Sequence, residues 1–252
     1  MKSATSSLHA RLAAQPGVFM STPKEPCFFS DDAVWAKGLG WYASLFENAP
    51  AEALCGESST HYTKLPTFPE TIDRARSVVP NARLIYVMRH PVDRLVSQYV
   101  HEWTQGNVSV GIDEAVENDE TFVRYSSYAE QIMPWLDAYG PGRVLPVFFE
   151  RLMAEPASEL ARVARFIGVD GPLVEPVEAR RENVSSDRLR KGPLLRLLME
   201  TPVVSHIRRA LVPTVAREWV KNRFFRMRRR PGLSEPVRAA LDRAFDEDLA
   251  EL

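Results

Sequence analysis

The sequence predicts an α/β protein with a central parallel sheet flanked by helices. Two apolar runs of the type found in buried strands, at 82–89 and 143–150, support this prediction, because each is followed by an amphipathic helical pattern. A hydrophobic content of 45% with 26% charged residues is typical of a globular chain. At 252 residues the chain can bury one sizeable core. We therefore expect one domain over residues 1–252, with a helical, Arg-rich part at 194–252.

The predicted helices alternate with these strands along the chain. Helical patterns cover residues 6–15, 31–46, 70–79, 91–103, 128–140 and 157–169. Asp31 or Asp32 caps the second helix, and Pro91 lies in the first turn of the fourth, where its missing N–H costs nothing. In a parallel sheet wrapped by helices, ligands bind beyond the carboxyl ends of the strands. Arg89 and Glu150 lie at two such ends.

Composition and charge exclude several classes of protein. A net charge of −1 argues against a general nucleic-acid binder. Two cysteines, Cys27 and Cys55, form neither a disulfide scaffold nor a metal site, and they suit a reducing cytoplasm. No apolar run approaches the roughly 18 residues needed to span a bilayer, and the amino terminus has no signal-peptide core. We therefore expect a cytoplasmic protein without a metal or a nucleic-acid partner.

The first candidate ligand site is a lysine followed by small residues and then a helix, in the segment KSATSSLH. Small residues let backbone N–H groups turn toward an anion, and the amino end of the helix adds a favourable dipole. The predicted ligand groups belong to Lys2, Ser3, Ala4, Thr5, Ser6 and Ser7. A plain Ser/Thr cap on a surface helix is the alternative. The GxxxxGK[ST] loop of nucleoside triphosphatases is absent from the sequence.

The second candidate site combines a strand-end arginine with a serine on the following helix. Arg89 ends the apolar run, and Ser97 lies eight residues further on. Together they can bind a second phosphate of the same ligand. The alternatives are a salt-bridged Arg89 and a Ser97 that makes a local backbone hydrogen bond.

Three motifs in this order resemble those of the sulfotransferases that use 3′-phosphoadenosine 5′-phosphosulfate (PAPS). They are KSATSSLH, PKEPCFFSDD and YVMRHPVDRLVSQY. The resemblance covers roughly residues 1–170 and is closest to bacterial members related to heparan-sulfate-type enzymes. It implies a P-loop-like fold, PAPS as donor, adenosine 3′,5′-bisphosphate as product, and no metal. It also implies that a strand precedes the lysine loop, so we expect a first strand to be missing from this chain.

The resemblance assigns roles to the basic residues. It implies that Lys2 and its loop bind the 5′-phosphosulfate and that Lys2 stabilises the leaving side of the reaction. Arg89 and Ser97 correspond to the 3′-phosphate ligands. Arg190, Lys191 and Gly192 look similar to a late basic loop that closes over the 3′-phosphate.

Glu25 is the predicted base that deprotonates the acceptor, as the resemblance implies. Its place between two prolines and before Phe28 and Phe29 predicts desolvation and a raised pKa. The alternatives are an exposed loop glutamate at this position and His61 as the base. Lys24 beside it contacts sulfate or balances charge.

The segment 57–62 is predicted to face the acceptor, because heparan-type members carry a Glu-Lys-Thr-Pro-like stretch there. Ser58 stands where that lysine is expected, so the resemblance does not carry over a heparan-like polyanion as the acceptor. The predicted acceptor-binding residues are Lys24, Phe28, Ser58, Ser59, His61 and Tyr62.

The predicted function is transfer of a sulfuryl group from PAPS to an acceptor hydroxyl of a saccharide, lipid or secondary metabolite. A non-catalytic nucleotide-binding module of the same fold and a P-loop-type metabolite kinase are the alternatives. Residues 208–230 hold nine Arg or Lys and one Glu. They can contact an anionic membrane surface or guide an anionic acceptor, or form a solvated helix face. The sequence leaves the oligomeric state open.

Overall fold

The computed structural model describes residues 5–169, Gly171, Leu173 and 230–252. The strands in these residues are β1 Val18–Met20, β2 Leu54–Gly56, β3 Leu84–Met88 and β4 Val144–Phe148. The helices are α1 Thr5–Ala13, α2 Asp32–Trp35, α3 Gly38–Ser44, α4 Thr71–Val78, α5 Pro91–Gln105, α6 Ile112–Asn118, α7 Thr121–Arg124, α8 Tyr128–Tyr139, α9 Phe149–Ala154, α10 Pro156–Ile167 and α11 Glu235–Leu249. Two short 3₁₀ helices cover Thr60–Thr63 and Pro141–Arg143.

The strands pair in parallel, β1 with β2 and β3 with β4, so the predicted α/β class is confirmed. The register aligns Met88 with Phe148 at the carboxyl ends of β3 and β4. The residues that follow these two strands are neighbours: the His90 amide donates to Glu150 Oε1 at 2.9 Å. The strands β1 and β2 were not predicted, because three residues are too few to show a periodic pattern.

The predicted helix over 31–46 is wrong in one respect, since it consists of the two helices α2 and α3. The break falls at Gly38, whose φ is +79°, in the left-handed region that glycine enters without steric cost. Asp31 caps α2 as predicted and accepts from the amides of Ala33 and Val34. The apolar spacing of the segment survives the break, because both helices pack onto the aromatic core beside Phe28.

The helix α11 closes one side of the structure. Leu241 and Phe245 are buried against the apolar cluster that α5, α6 and α7 form. Asp248 accepts hydrogen bonds from the Ala129 and Glu130 amides at 2.9 and 3.3 Å, and so caps α8 from a distant part of the chain. The predicted helical character of the C-terminal part is thus confirmed for α11, while 194–229 lies outside the described residues.

Within 5–169 and 230–252, no helix is both long and apolar enough to cross a lipid bilayer. In the same part of the chain, no group of three or more His, Cys, Asp or Glu side chains lies together as metal ligands would.

Candidate active site

The donor-side loop is described only from its helical end. Six of the predicted ligand residues lie outside the described residues: Lys2, Ser3, Ala4, Arg190, Lys191 and Gly192. Thr5, Ser6 and Ser7 form the first turn of α1, which contains no acidic side chain. Ser7 accepts a hydrogen bond from Arg11 at 3.1 Å, which ties this hydroxyl to its own helix.

Lys24 connects the first turn of α1 with the predicted base. Its Nζ lies 3.2 Å from Ser6 Oγ and 2.9 Å from Glu25 Oε1. Thr60 donates its hydroxyl hydrogen to the other carboxylate oxygen, Oε2, at 2.9 Å. The structure therefore places Ser6 beside Lys24 and its neighbour Glu25, although Lys24 is 18 residues away from Ser6 in the sequence.

The pKa of Glu25 moves opposite to the sequence-based expectation. Burial acts to raise it, but hydrogen bonds from Lys24 and Thr60, together with the charge of Lys24, lower the pKa below its ordinary value. The expectation was wrong because Phe28 and Phe29 point into the core and leave polar groups around the carboxylate. Glu25 is therefore ionised at neutral pH.

The loop that carries Glu25 has an unusual backbone. Glu25 and Cys27 have φ values of +61° and +55°, in the left-handed region that side chains other than glycine rarely adopt. Such residues cost on the order of 1–3 kcal/mol each and persist only where the surroundings hold them. They also concentrate at functional sites, which agrees with the predicted role of Glu25.

The surroundings of Phe28 contradict its predicted contact with the acceptor. Phe28 is fully buried and stacks on Tyr42, with ring centroids 4.5 Å apart and an interplanar angle of 14°. A side chain enclosed in the aromatic core cannot contact an acceptor, so that prediction is wrong. Phe28 instead fixes the loop to α3.

Ser59 and Tyr62 also point to an inner partner. The Ser59 hydroxyl donates to Glu57 Oε2 at 2.8 Å, and the Tyr62 hydroxyl donates to Glu57 Oε1 at 2.5 Å. Burial raises the pKa of Glu57 to about 6. The acceptor-binding roles of Ser59 and Tyr62 stay predictions, and the contacts described here are with Glu57.

His61 stacks on Phe68, with ring centroids 4.7 Å apart. Its Nδ1 is buried and has no hydrogen-bond partner in the part of the chain that is described. Burial and the charge of Lys64 lower the pKa of His61, so the ring is neutral at pH 7. Because Nδ1 is enclosed, an acceptor can meet His61 only through Nε2.

His9 is a site residue that the sequence analysis missed. Its Nδ1 lies 2.9 Å from Ser58 Oγ, which ties α1 to the segment 57–62. Burial and the charge of Lys24 lower the pKa of His9. The signal in the sequence was its spacing of three residues from Ser6, which places both on one face of α1.

Lys64 is the second residue that the sequence analysis missed. Its Nζ lies 5.9 Å from the centroid of the Tyr125 ring, a cation–π arrangement. Burial lowers the pKa of Lys64, while the charges of Glu102, Cys27 and Glu25 act to raise it. Lys64 therefore lies close enough to Glu25 for the two charges to interact.

Arg89 and Ser97 occupy the strand end and the helix that the sequence predicted. The Arg89 amide donates to the Tyr128 hydroxyl at 2.8 Å, and its guanidinium lies 4.8 Å from the Phe149 ring centroid. Ser97 lies on α5 and is buried. Their role as phosphate ligands stays a prediction.

Comparison with known proteins adds an independent line of argument. The profile of the Sulfotransferase family matches residues 41–172, more than half of the chain. Heparan sulfate glucosamine 3-O-sulfotransferase 3B1 of Mus musculus is 29% identical over 180 residues, which are 67% of this chain and 44% of that protein. Bifunctional heparan sulfate N-deacetylase/N-sulfotransferase 2 of Homo sapiens is 25% identical over 197 residues, which are 67% of this chain and 21% of that protein. The chain thus spans less than half the length of these two relatives.

The chain also shares its fold with solved structures of sulfotransferases. The crystal structure of a sulfotransferase from Alicyclobacillus acidocaldarius matches with a TM-score of 0.69 at 20% identity. The match covers 100% of this chain and 90% of the other. The sulfotransferase domain from the curacin biosynthetic pathway matches with a TM-score of 0.50 at 16% identity, over 96% of this chain and 93% of that domain. Because the family profile covers more than half of its length, the chain belongs to the sulfotransferase family.

Proposed function

We propose that the protein, as a single domain over 1–252, transfers a sulfuryl group from PAPS to an acceptor hydroxyl with Glu25 as the base. The observation that carries the proposal is the position of Lys24 Nζ, within 3.2 Å of Ser6 Oγ and 2.9 Å of Glu25 Oε1. This contact supports the proposal, because it joins Ser6, at the helical end of the predicted phosphosulfate loop, to the predicted base. Membership of the sulfotransferase family supports the same reaction.

The residues of the first turn of α1 fit an anionic donor. Thr5 and Ser6 offer hydroxyls, the amino end of the helix offers N–H groups, and the turn itself contains no acidic side chain. When bound, PAPS supplies the sulfuryl group and a phosphate leaving group. Lys2 donates a hydrogen bond on the leaving-group side of the reaction. Arg89 and Ser97 bind the 3′-phosphate. The late basic loop of Arg190, Lys191 and Gly192 assists them.

Glu25 accepts the proton of the attacking hydroxyl. Because hydrogen bonds from Lys24 and Thr60 keep the carboxylate ionised, no prior deprotonation of the base is needed at neutral pH. Those two contacts also fix the direction of the carboxylate, which in-line transfer requires. His61 is the second candidate base, through Nε2.

The acceptor is a saccharide, a lipid or a secondary metabolite. The two relatives act, by name, on heparan sulfate. Ser58 takes the place of a lysine in the acceptor-facing stretch, so we keep the acceptor class broad. A cytoplasmic location is part of this proposal and rests on the two free thiols. Contact of residues 208–230 with an anionic membrane stays a prediction.

The test is calorimetric titration with adenosine 3′,5′-bisphosphate of the wild type, Arg89→Ala and the control Arg238→Ala on the exposed face of α11. We expect binding that Arg89→Ala weakens by about 1.5–3 kcal/mol, the scale of a hydrogen bond to a charged group. The control should bind as the wild type does. A folded protein that binds ATP but not the bisphosphate would favour the kinase alternative. Bisphosphate binding without turnover on any acceptor would favour a non-catalytic module.

A further inference from the structure

We propose that Glu57 is a positioning residue that holds the loop of Glu25 in its left-handed conformation through the hydroxyls of Ser59 and Tyr62. The functional part of this inference rests on the proposed role of Glu25 as the base. Glu57 itself contacts neither the predicted donor loop nor Glu25 in the described residues. Its effect on the reaction is therefore indirect.

Alternate amides of the Glu25 loop are bound by the segment 58–62. The Glu25 amide donates to the Ser58 carbonyl oxygen at 2.9 Å. The Cys27 amide donates to Ser59 Oγ at 3.0 Å, and the Phe29 amide lies 3.4 Å from the Tyr62 hydroxyl oxygen. Two of these three acceptors are thus side-chain hydroxyls, and both are held by Glu57.

The direction of these hydrogen bonds depends on Glu57. A hydroxyl has one hydrogen, and Ser59 and Tyr62 each donate it to a different oxygen of the Glu57 carboxylate. An ionised carboxylate only accepts, so it fixes both hydrogens toward itself. The lone pairs of both hydroxyls then face the loop amides. A neutral side chain at position 57 would leave at least one hydroxyl hydrogen without an acceptor.

The backbone of the loop needs such support. Glu25 and Cys27 are both in the left-handed region, and a strained backbone persists only where its surroundings hold it. If the amides of Cys27 and Phe29 lose their acceptors, the loop can relax toward ordinary φ values. The Glu25 carboxylate would then leave the positions that Lys24 and Thr60 define. A displacement of about 1 Å can lower a rate about 100-fold.

The pH dependence expected from Glu57 distinguishes a positioning role from a purely structural one. Burial raises its pKa from an ordinary 4.5 to about 6, so the fold favours the protonated form. This contribution to stability is present below the unfolded pKa and is lost as the pH rises through about 6. Positioning requires the ionised form instead. Between pH 7 and pH 5 we therefore expect stability from this group to rise while kcat falls.

The groups that face Glu57 do not titrate in that range. They are Ser59 and Tyr62 from its own segment, Cys27 from the loop of Glu25, and Tyr42 from α3. Burial raises the pKa of the Cys27 thiol and of both phenols, so these groups stay neutral. Two histidines near Glu25, His9 and His61, have pKa values that burial lowers, and they provide the competing source of an acidic limb.

The kinetic test compares Glu57→Gln with Glu117→Gln, an exposed control on α6. For Glu57→Gln we expect kcat to fall about 10- to 100-fold, with the Kd for adenosine 3′,5′-bisphosphate changed less than about twofold. The acidic limb near pH 6 should disappear in Glu57→Gln and persist in the control. An unchanged kcat, or a limb that persists in Glu57→Gln and so belongs to a histidine, would overturn the proposal.

Amide hydrogen exchange tests the positioning without turnover. In Glu57→Gln the protection of the Cys27 and Phe29 amides should fall on the order of tenfold, while the Val87 amide in β3 keeps its protection. Ser59→Ala should lower the protection of the Cys27 amide and leave the Phe29 amide protected. It serves as a second variant if Glu57→Gln folds poorly. Unchanged protection of both amides would overturn the positioning role. Lost protection of these amides in a protein that sulfates no acceptor would support the positioning role of Glu57 and contradict the proposed sulfotransferase function instead.

Discussion

The polar cluster around Glu25 and the polar cluster around Arg94 each hold one charged side chain in place, but they expose it to very different degrees. The Glu25 side chain is 38% exposed and is bound by Lys24 and Thr60. Arg94 is 4% exposed, and its guanidinium donates to Ser126 Oγ at 2.7 Å, to the Gln98 side-chain oxygen and to the Phe122 carbonyl oxygen.

The two environments act on charge in opposite directions. Burial lowers the pKa of Arg94 to about 10, so the fold works against its charge and compensates with neutral acceptors. At Glu25 the hydrogen bonds outweigh burial and favour the charge. Arg94 lies on a regular helix, while Glu25 lies on a strained loop. The comparison teaches that the enclosed charge of Arg94 links α5 to α7, whereas the charge of Glu25 stays accessible to solvent.

The largest effect that would break this comparison is expected for Glu25→Gln. Removing a general base lowers kcat by about 10²- to 10⁴-fold, because the acceptor hydroxyl then has no group to take its proton. The bisphosphate affinity and the thermal midpoint should stay close to those of the wild type. Single-turnover rates with a screened acceptor give the measurement. Wild-type kcat in this variant would move the role of base to another residue, with His61 tested next.

A smaller and purely structural effect is expected for Arg94→Lys. Lysine keeps the charge but cannot reach Ser126, Gln98 and Phe122 together, since it lacks the planar fork of arginine. We expect a loss of about 2 kcal/mol in the free energy of unfolding, the scale of one buried hydrogen bond to a charged group. Urea denaturation measures it, with Arg238→Lys on α11 as the exposed control. Equal stability of the two variants would show that the Arg94 contacts contribute little.

The smallest effect is expected for Asp248→Ala. Asp248 caps α8, whose own N-cap residue, Ser127, makes no side-chain capping bond. Loss of such a cap costs about 1 kcal/mol of stability. The exposed neighbour Asp246→Ala is the matched control, and kcat should change in neither variant. A loss of kcat in Asp248→Ala at full folding would mean that the cap also influences the site.

Local patterns were sufficient where a single element decides the outcome. The apolar runs predicted β3 and β4, and the proline turn after β3 predicted the start of α5. They failed at Gly38, where one left-handed residue divides a continuous helical pattern. They also missed β1 and β2, because three-residue strands form only through the pairing of distant segments.

The sequence by itself determined the α/β class, the sulfotransferase resemblance and the identity of Glu25 as the candidate base. The class depends on the periodicity of local segments, whereas the candidate base follows from the resemblance of local motifs to a known family. Only the tertiary structure decided the ionisation of Glu25, because its pKa depends on Lys24 and on Thr60, 35 residues away. The tertiary structure likewise decided the contacts and pKa shifts of His9, Lys64 and the inward-facing Glu57. Burial and hydrogen bonding between segments set these properties, and neither can be read from one segment alone.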